Sequence, residues 1–268
     1  MGHGIAQVAA MAGFEVVLTD VDEAAVARGL SGITANLDKG VARGKVDAGV
    51  RTATLTRVRG GTLLDVAACD LQIEAVPERH DLKVQLFQQL EKTARPDAIL
   101  ATNTSSLSVG AIAAELVHPE RVIGTHFFNP VHIMALLEVI VADKTSDATL
   151  AAVRAFGERI GKEVIVVQDA PGFATSRLGV CLGMEAIRMV EQGVASPEDI
   201  DKAMVLGYRH PVGPLKLTDM VGLDVRMHIG TYLAEALGNS AFEPPALMRE
   251  MVAAGKLGKK AGQGCYTW

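Results

Sequence analysis

The feature that most restricts this chain is the point at which its hydrophobic period changes. Up to residue 168, segments with apolar residues at helical spacing alternate with short β-branched runs, and from Ala174 onward only the helical spacing remains. GIAQVAAMAG (4–13) places Ile5, Val8, Ala9 and Ala12 on one helical face and stops at Gly13, and FEVVLTD (14–20) follows as a short strand ending in an acid. Residues 22–43 read as a long helix with Asp22 as its N-cap. LQIEAV (71–76), AILATN (98–103) and RVIGTHF (121–127) read as strands, with a helix over 79–94 stopped before Pro96. ALLEVIV (135–141), a helix over 147–160 and a strand EVIVV (163–167) complete the alternation, and DAPGF (169–173) supplies turn chemistry. Strands separated by helices predict a parallel, doubly wound sheet. Beyond it, helices are predicted at 174–192, 197–206, 219–237 and 245–254. The expectation is an α/β domain over 1–168 followed by an all-helical domain over 169–268.

Composition removes several classes of function. With 49% hydrophobic and 21% charged residues among 268, the chain has the material for a sizeable core and is not disordered. A formal charge of -5 provides no general basic field for nucleic acid. Cys69, Cys181 and Cys265 are odd in number and lack C-x-x-C spacing, so neither a disulfide framework nor a metal cluster is expected, and a reducing, cytoplasmic location fits. Every long apolar run is broken short of a membrane span, and the start, Met1 to Met11, lacks the positive region of an export signal.

A Rossmann-type dinucleotide site needs a first strand, a glycine turn, a helix N-terminus facing the pyrophosphate, and an acid about 20 residues on for the ribose. Here Met1-Gly2-His3-Gly4 opens directly into a helix, and Asp20 ends the next strand. The first strand and the first two glycines of G-x-G-x-x-G are not in the sequence. By itself, helix, strand and acid equally describe an ordinary αβ unit. The most informative stretch is GTHFFNPVHIMALLEVI (124–140). His126 sits at the end of a predicted strand and Glu138 lies on the next apolar run. An imidazole shuttles protons near neutral pH, and a carboxylate behind it fixes its tautomer and stabilises the imidazolium. A metal-independent alcohol dehydrogenase requires that pair, although a packed core histidine and an unrelated glutamate have the same spacing. Asn103, Thr104, Ser105 and Ser106 follow another strand, where they either bind a substrate oxygen or the nicotinamide amide, or cap the next helix. G-x-S-x-G is absent, which leaves a hydrolase elbow unsupported.

MGHGIAQ at the start, EAVPE (74–78), ATNTSSLS (101–108), THFFNPV with LLEV, DAPGF, GPLKLTDMVGLD (213–224) and LGKKAGQGCYTW (257–268) resemble, in order, the motifs of the 3-hydroxyacyl-CoA dehydrogenase family, and most closely its short 3-hydroxybutyryl-CoA branch. The resemblance spans essentially the whole chain. It implies a Rossmann-type NAD-binding domain lacking its first strand, and a helical domain for substrate binding and dimerisation. It further implies His126 as general base with Glu138 orienting it, and Ser105 and Asn129 at the reacting oxygen and nicotinamide. Gly2 would be the last fingerprint glycine, Asp20 would hold the adenosine ribose, Glu78, Lys83 and Lys260 would line the NAD site, and Asn36 and Arg43 would contact the CoA of an acyl-CoA substrate. The sequence departs from the family pattern at Ser176, where asparagine is usual, at His132 and Ala135, where proline and lysine are usual, and at Cys265, where an aromatic is usual. Two further readings fit the same layout: a non-catalytic protein like the λ-crystallins, and a sugar-acid dehydrogenase.

Overall fold

The alternating patterns of the first part fold as helices laid on largely parallel strands. The computed structural model describes residues 1–268, beginning with α1 (Gly2–Met11), β1 (Val16–Leu18), α2 (Glu23–Ala42), α3 (Ala48–Arg57), β2 (Val58–Gly60), α4 (Leu63–Val66) and β3 (Leu71–Glu74). Then come α5 (His80–Thr93), β4 (Ile99–Thr102), α6 (Val109–Ala114), β5 (Val122–Phe127), β6 (Leu136–Val141), α7 (Asp147–Arg159) and β7 (Glu163–Gln168). Five helices follow: α8 (Thr175–Glu191), α9 (Pro197–Gly207), α10 (Pro214–Val221), α11 (Leu223–Leu237) and α12 (Ala246–Ala253). The chain separates into two units, Met1–Asp169 and Ala170–Trp268. No helix is long and apolar enough to cross a membrane.

In the first unit β3-β4-β5-β6-β7 form a five-stranded sheet, and β1 and β2 form a separate parallel pair. Helix α1 serves both. Its Ile5 and Val8 join Ile123, Phe127 and Leu137 of the larger sheet, while Ala6 packs with Ile33 and Leu37 of α2 and with Val16, Leu18 and Val58 around them. Burying each large aliphatic side chain contributes roughly 1.5–3 kcal/mol, so these contacts hold α1 where the sequence pattern puts it. Asp22 caps α2 as expected, accepting from the Ala25 amide at 2.6 Å.

Three expectations need correction. The sheet is not wholly parallel, because β5 and β6 pair antiparallel. Residues 128–135 between them are too few for the crossover that parallel strands require. Helix α3, strand β2 and helix α4 lie in a stretch where no element was expected. The sequence of α3, AGVRTATLTR, buries only Thr54 and so shows little periodicity, although Asp47 caps it through the amides of Gly49 and Val50. Finally, 219–237 is not one helix. Gly222, with φ of 110°, ends α10 and starts α11, and the apolar face continues on both sides and hides the break.

Candidate active site

The antiparallel return of β6 determines the central geometry. In the β5–β6 ladder His126 is the direct partner of Glu138, a cross-strand pair of neighbouring side chains. His126 Nδ1 stands 2.7 Å from Glu138 Oε2, with the Glu138 side chain fully buried and the His126 side chain 10% exposed. With the carboxylate ionised, Nδ1 carries a proton and donates it, so exchange with a substrate falls to Nε2. The Phe128 ring tilts against the imidazole at 4.4 Å between centroids. Asn103 Oδ1 accepts from the Phe127 amide at 2.9 Å and ties the end of β4 to the end of β5.

A second cluster centres on Glu78. Its Oε1 accepts from the Thr104 hydroxyl at 2.6 Å, the Ser105 and Ser106 amides at 2.8 and 3.0 Å, and the hydroxyls of Ser105 and Ser106 at 3.2 and 3.3 Å. Residues 103–106 therefore do not cap the following helix; Ser108 does, accepting from the Ala111 amide. Burial pushes the Glu78 carboxyl up, but the Thr104 hydroxyl, the Lys83 ammonium and the two serine amides outweigh it and hold the carboxyl below its ordinary value. Lys83 has no exposed surface. Its Nζ donates to Glu74 Oε1 at 2.8 Å and lies 3.4 Å from Glu78 Oε2. Lys83 therefore faces the two carboxylates and not solvent. Glu74, fully buried, also accepts from the Val76 amide and the Thr102 hydroxyl, each at 2.7 Å. Sequence reasoning missed Glu74. Its signal was a charge inside the apolar run LQIEAV.

Gly2 opens α1, and a Cβ there would stand 3.9 Å from Ala75 Cβ, just past the end of β3. Asp20 is exposed after β1, its Oδ1 accepting from the Val21 amide at 2.8 Å. A glycine opening a helix and an exposed carboxylate after the next strand suit the pyrophosphate and the adenosine ribose of a dinucleotide. Asn36 is half-buried on α2, and Arg43 is exposed at its C-terminal end. Asn129 is exposed three residues past His126. In the second unit, Lys260 pairs with Asp224 at 2.6 Å.

A histidine held by a buried carboxylate at the end of a strand, in a unit whose helix start and following acid suit a dinucleotide, fits the class of an NAD-binding oxidoreductase. A family model described as "3-hydroxyacyl-CoA dehydrogenase, NAD binding domain" matches residues 1–170, and one described as "3-hydroxyacyl-CoA dehydrogenase, C-terminal domain" matches residues 172–268. The chain belongs to the 3-hydroxyacyl-CoA dehydrogenase family. It is 43% identical to a probable 3-hydroxybutyryl-CoA dehydrogenase of Deinococcus radiodurans, covering 100% of this chain and 96% of that protein. A 3-hydroxybutyryl-CoA dehydrogenase of Bradyrhizobium diazoefficiens is 42% identical, over 100% of this chain and 92% of the other. Among solved structures, (S)-3-hydroxybutyryl-CoA dehydrogenase PaaH1 of Ralstonia eutropha superposes with a TM-score of 0.96 at 42% identity, covering 100% of this chain and 95% of that one.

Proposed function

We propose that the protein interconverts a (3S)-3-hydroxyacyl-CoA and the 3-oxoacyl-CoA with NAD, acting on short acyl chains such as hydroxybutyryl. The observation that carries this reading is the 2.7 Å contact of His126 with a fully buried Glu138, set by strand register. NAD, when bound, supplies the hydride acceptor. In the oxidative direction His126 Nε2 takes the proton of the substrate 3-hydroxyl as C3 loses its hydride, and the Glu138 carboxylate stabilises the imidazolium. In the reductive direction the imidazolium returns that proton to the oxygen at C3. Ser105 and Asn129 orient the oxygen and the nicotinamide side, and Gly2, Asp20 and Glu78 hold the cofactor, with Lys83 acting through Glu78. The names of the relatives support the substrate class, and the chain's three free cysteines accord with a reducing, cytoplasmic setting.

The test is reduction of acetoacetyl-CoA with NADH and with NADPH. A 2′-phosphate would meet Asp20 with Asp22 and Glu23 close behind it in sequence, and such like-charge juxtaposition costs several kcal/mol. At about 1.4 kcal/mol per tenfold, kcat/KM is expected to favour NADH by roughly 10²-fold or more. Equal values for the two cofactors contradict the role of Asp20, and failure to oxidise NADH with this thioester contradicts the substrate class.

The same reading makes the helical unit the substrate-binding and dimerisation domain. Leu178 on α8 and Val225 on α11 support it: these aliphatic side chains are 72% and 40% exposed and present apolar surface of the kind a subunit contact covers. Sedimentation equilibrium is expected to give twice the chain mass, and Leu178→Asp to shift it toward the monomer; a monomeric wild type contradicts the dimer.

A further inference from the structure

The relay and the Glu78 cluster leave Lys162 without a role. Its place is set by the end of α7. Gly161, at φ of 73°, takes the left-handed conformation, and the Gly161 and Lys162 amides donate to the Glu158 and Gly157 carbonyls, each at 3.0 Å. Strand β7 begins at once, with the Glu163 amide donating to the Ala135 carbonyl at 2.9 Å. Lys162 is thus fixed between a helix end and a strand start, half-buried, and its side chain reaches the linker between β5 and β6. There Nζ donates to the Val131 and Met134 carbonyls at 2.5 and 2.6 Å. No carboxylate acts on the ammonium, and burial alone draws its pKa below the ordinary lysine value.

The two acceptors give the reason for a cation at this point. Residues 130–134 form a single closed turn, in which the Ile133 and Met134 amides both donate to the Pro130 carbonyl, at 2.9 and 3.0 Å. One turn leaves its other carbonyls without the amides that a longer helix supplies, and an ammonium satisfies them. On its other side the turn is held by α1. Val131 is 3% exposed and shares a core with Ile5 and Val8, and a Cβ on Gly4 would stand 3.0 Å from Val131 Cγ2. Asn129 directly precedes this turn, and Gly2 opens the helix that Val131 packs on. One ammonium therefore braces a turn that adjoins two parts of the proposed cofactor site.

We propose that Lys162 is a positioning residue for NAD: by holding the 130–134 turn it sets the place of Asn129 and, through Val131 on Gly4, the opening of α1. The proposal rests on the cofactor roles of Gly2 and Asn129 given above. Lys162 acts through the turn, so its removal disturbs cofactor affinity and the geometry of hydride transfer together, and leaves the His126–Glu138 contact in the β5–β6 ladder intact.

The test measures NADH binding by the cofactor's own fluorescence with no thioester present, alongside kcat and KM for acetoacetyl-CoA reduction, melting temperature, and amide hydrogen exchange at Ile133 and Met134. Lys162→Met keeps the apolar stem and removes the donors. It is expected to raise Kd for NADH about tenfold, the size of one lost hydrogen bond to a charged group. A shift of part of an ångström should lower kcat by about tenfold, where a full 1 Å costs ~10²-fold, while KM for the thioester stays within about twofold. Exchange at Ile133 and Met134 should accelerate. Lys162→Arg supplies donors for both carbonyls and is expected to recover affinity and rate. The proposal is overturned if folded Lys162→Met loses melting temperature alone and keeps wild-type NADH affinity and kcat, which would make the lysine a strut of the fold. It is also overturned if KM for the thioester rises in place of Kd for NADH, or if Lys162→Arg regains wild-type exchange at Ile133 and Met134 and yet binds NADH as weakly as Lys162→Met. A wild type that binds NADH but reduces no acetoacetyl-CoA overturns the acyl-CoA reading, and the NADH affinities then decide this inference by themselves.

Discussion

Replacing His126 with glutamine is expected to lower kcat for (3S)-3-hydroxybutyryl-CoA oxidation by ~10²–10⁴-fold, the range for loss of a positioned general base. Glutamine retains a planar group that can donate toward Glu138, which conserves the β5–β6 pair and separates loss of proton transfer from loss of fold. The CoA contacts that the resemblance implies at Asn36 and Arg43 are untouched, so KM for the thioester should change little. An interaction made only in the transition state has this signature, with kcat and kcat/KM falling together. Steady-state NADH formation, with the circular dichroism of the variant as a check on folding, reads it out. Near-normal turnover by a folded variant is incompatible with the assignment of His126.

The largest effect on stability is expected at Lys83. Its ammonium is the sole cation on two carboxylates, one of them fully buried. Lys83→Met keeps the apolar stem but leaves Glu74 charged and uncompensated, and breaking a buried pair in this way costs ~3–5 kcal/mol. At 2–4 °C per kcal/mol for a chain of this size, the melting temperature should fall by roughly 10 °C. Lys83→Met/Glu74→Gln should recover most of the loss, because neither partner is then left charged. Glu78 also holds the 104–106 turn, so the single variant should raise KM for NAD as well. An unchanged melting temperature in Lys83→Met contradicts the pair's role.

How far these features could be read from the sequence follows from what each depends on. The cap at Asp22 and strands β3, β4 and β5 rest on local rules, an acceptor at a helix start and β-branched runs between helices, and they fold where those rules put them. The 12-residue separation of His126 and Glu138 was visible, but its meaning was not. Whether the two side chains meet depends on β6 running antiparallel, which depends in turn on the short linker and its pairing with β5. The Glu74–Lys83 pair joins a strand to a helix, and periodicity records nothing of such a contact beyond an acid where an apolar residue is expected. Residues 48–66 were silent because their helices bury little, and the break at Gly222 was silent because a positive φ leaves the apolar pattern on both sides intact. Spacing marked Asp20 as a candidate for the ribose, and resemblance alone supplied the roles of Asn36 and Arg43.

The central claim, that His126 and Glu138 work as one unit, is tested most directly by a double-mutant cycle on kcat with His126→Gln, Glu138→Gln and the combined variant. Glu138→Gln removes the charge that stabilises the imidazolium and should lower kcat by itself. Once the imidazole is gone the carboxylate has no proton-transfer partner to act on, so the double variant should fall within about twofold of His126→Gln. Losses that multiply, with the double variant slower than either single variant by the product of their effects, would show two independent contributions and contradict the paired relay.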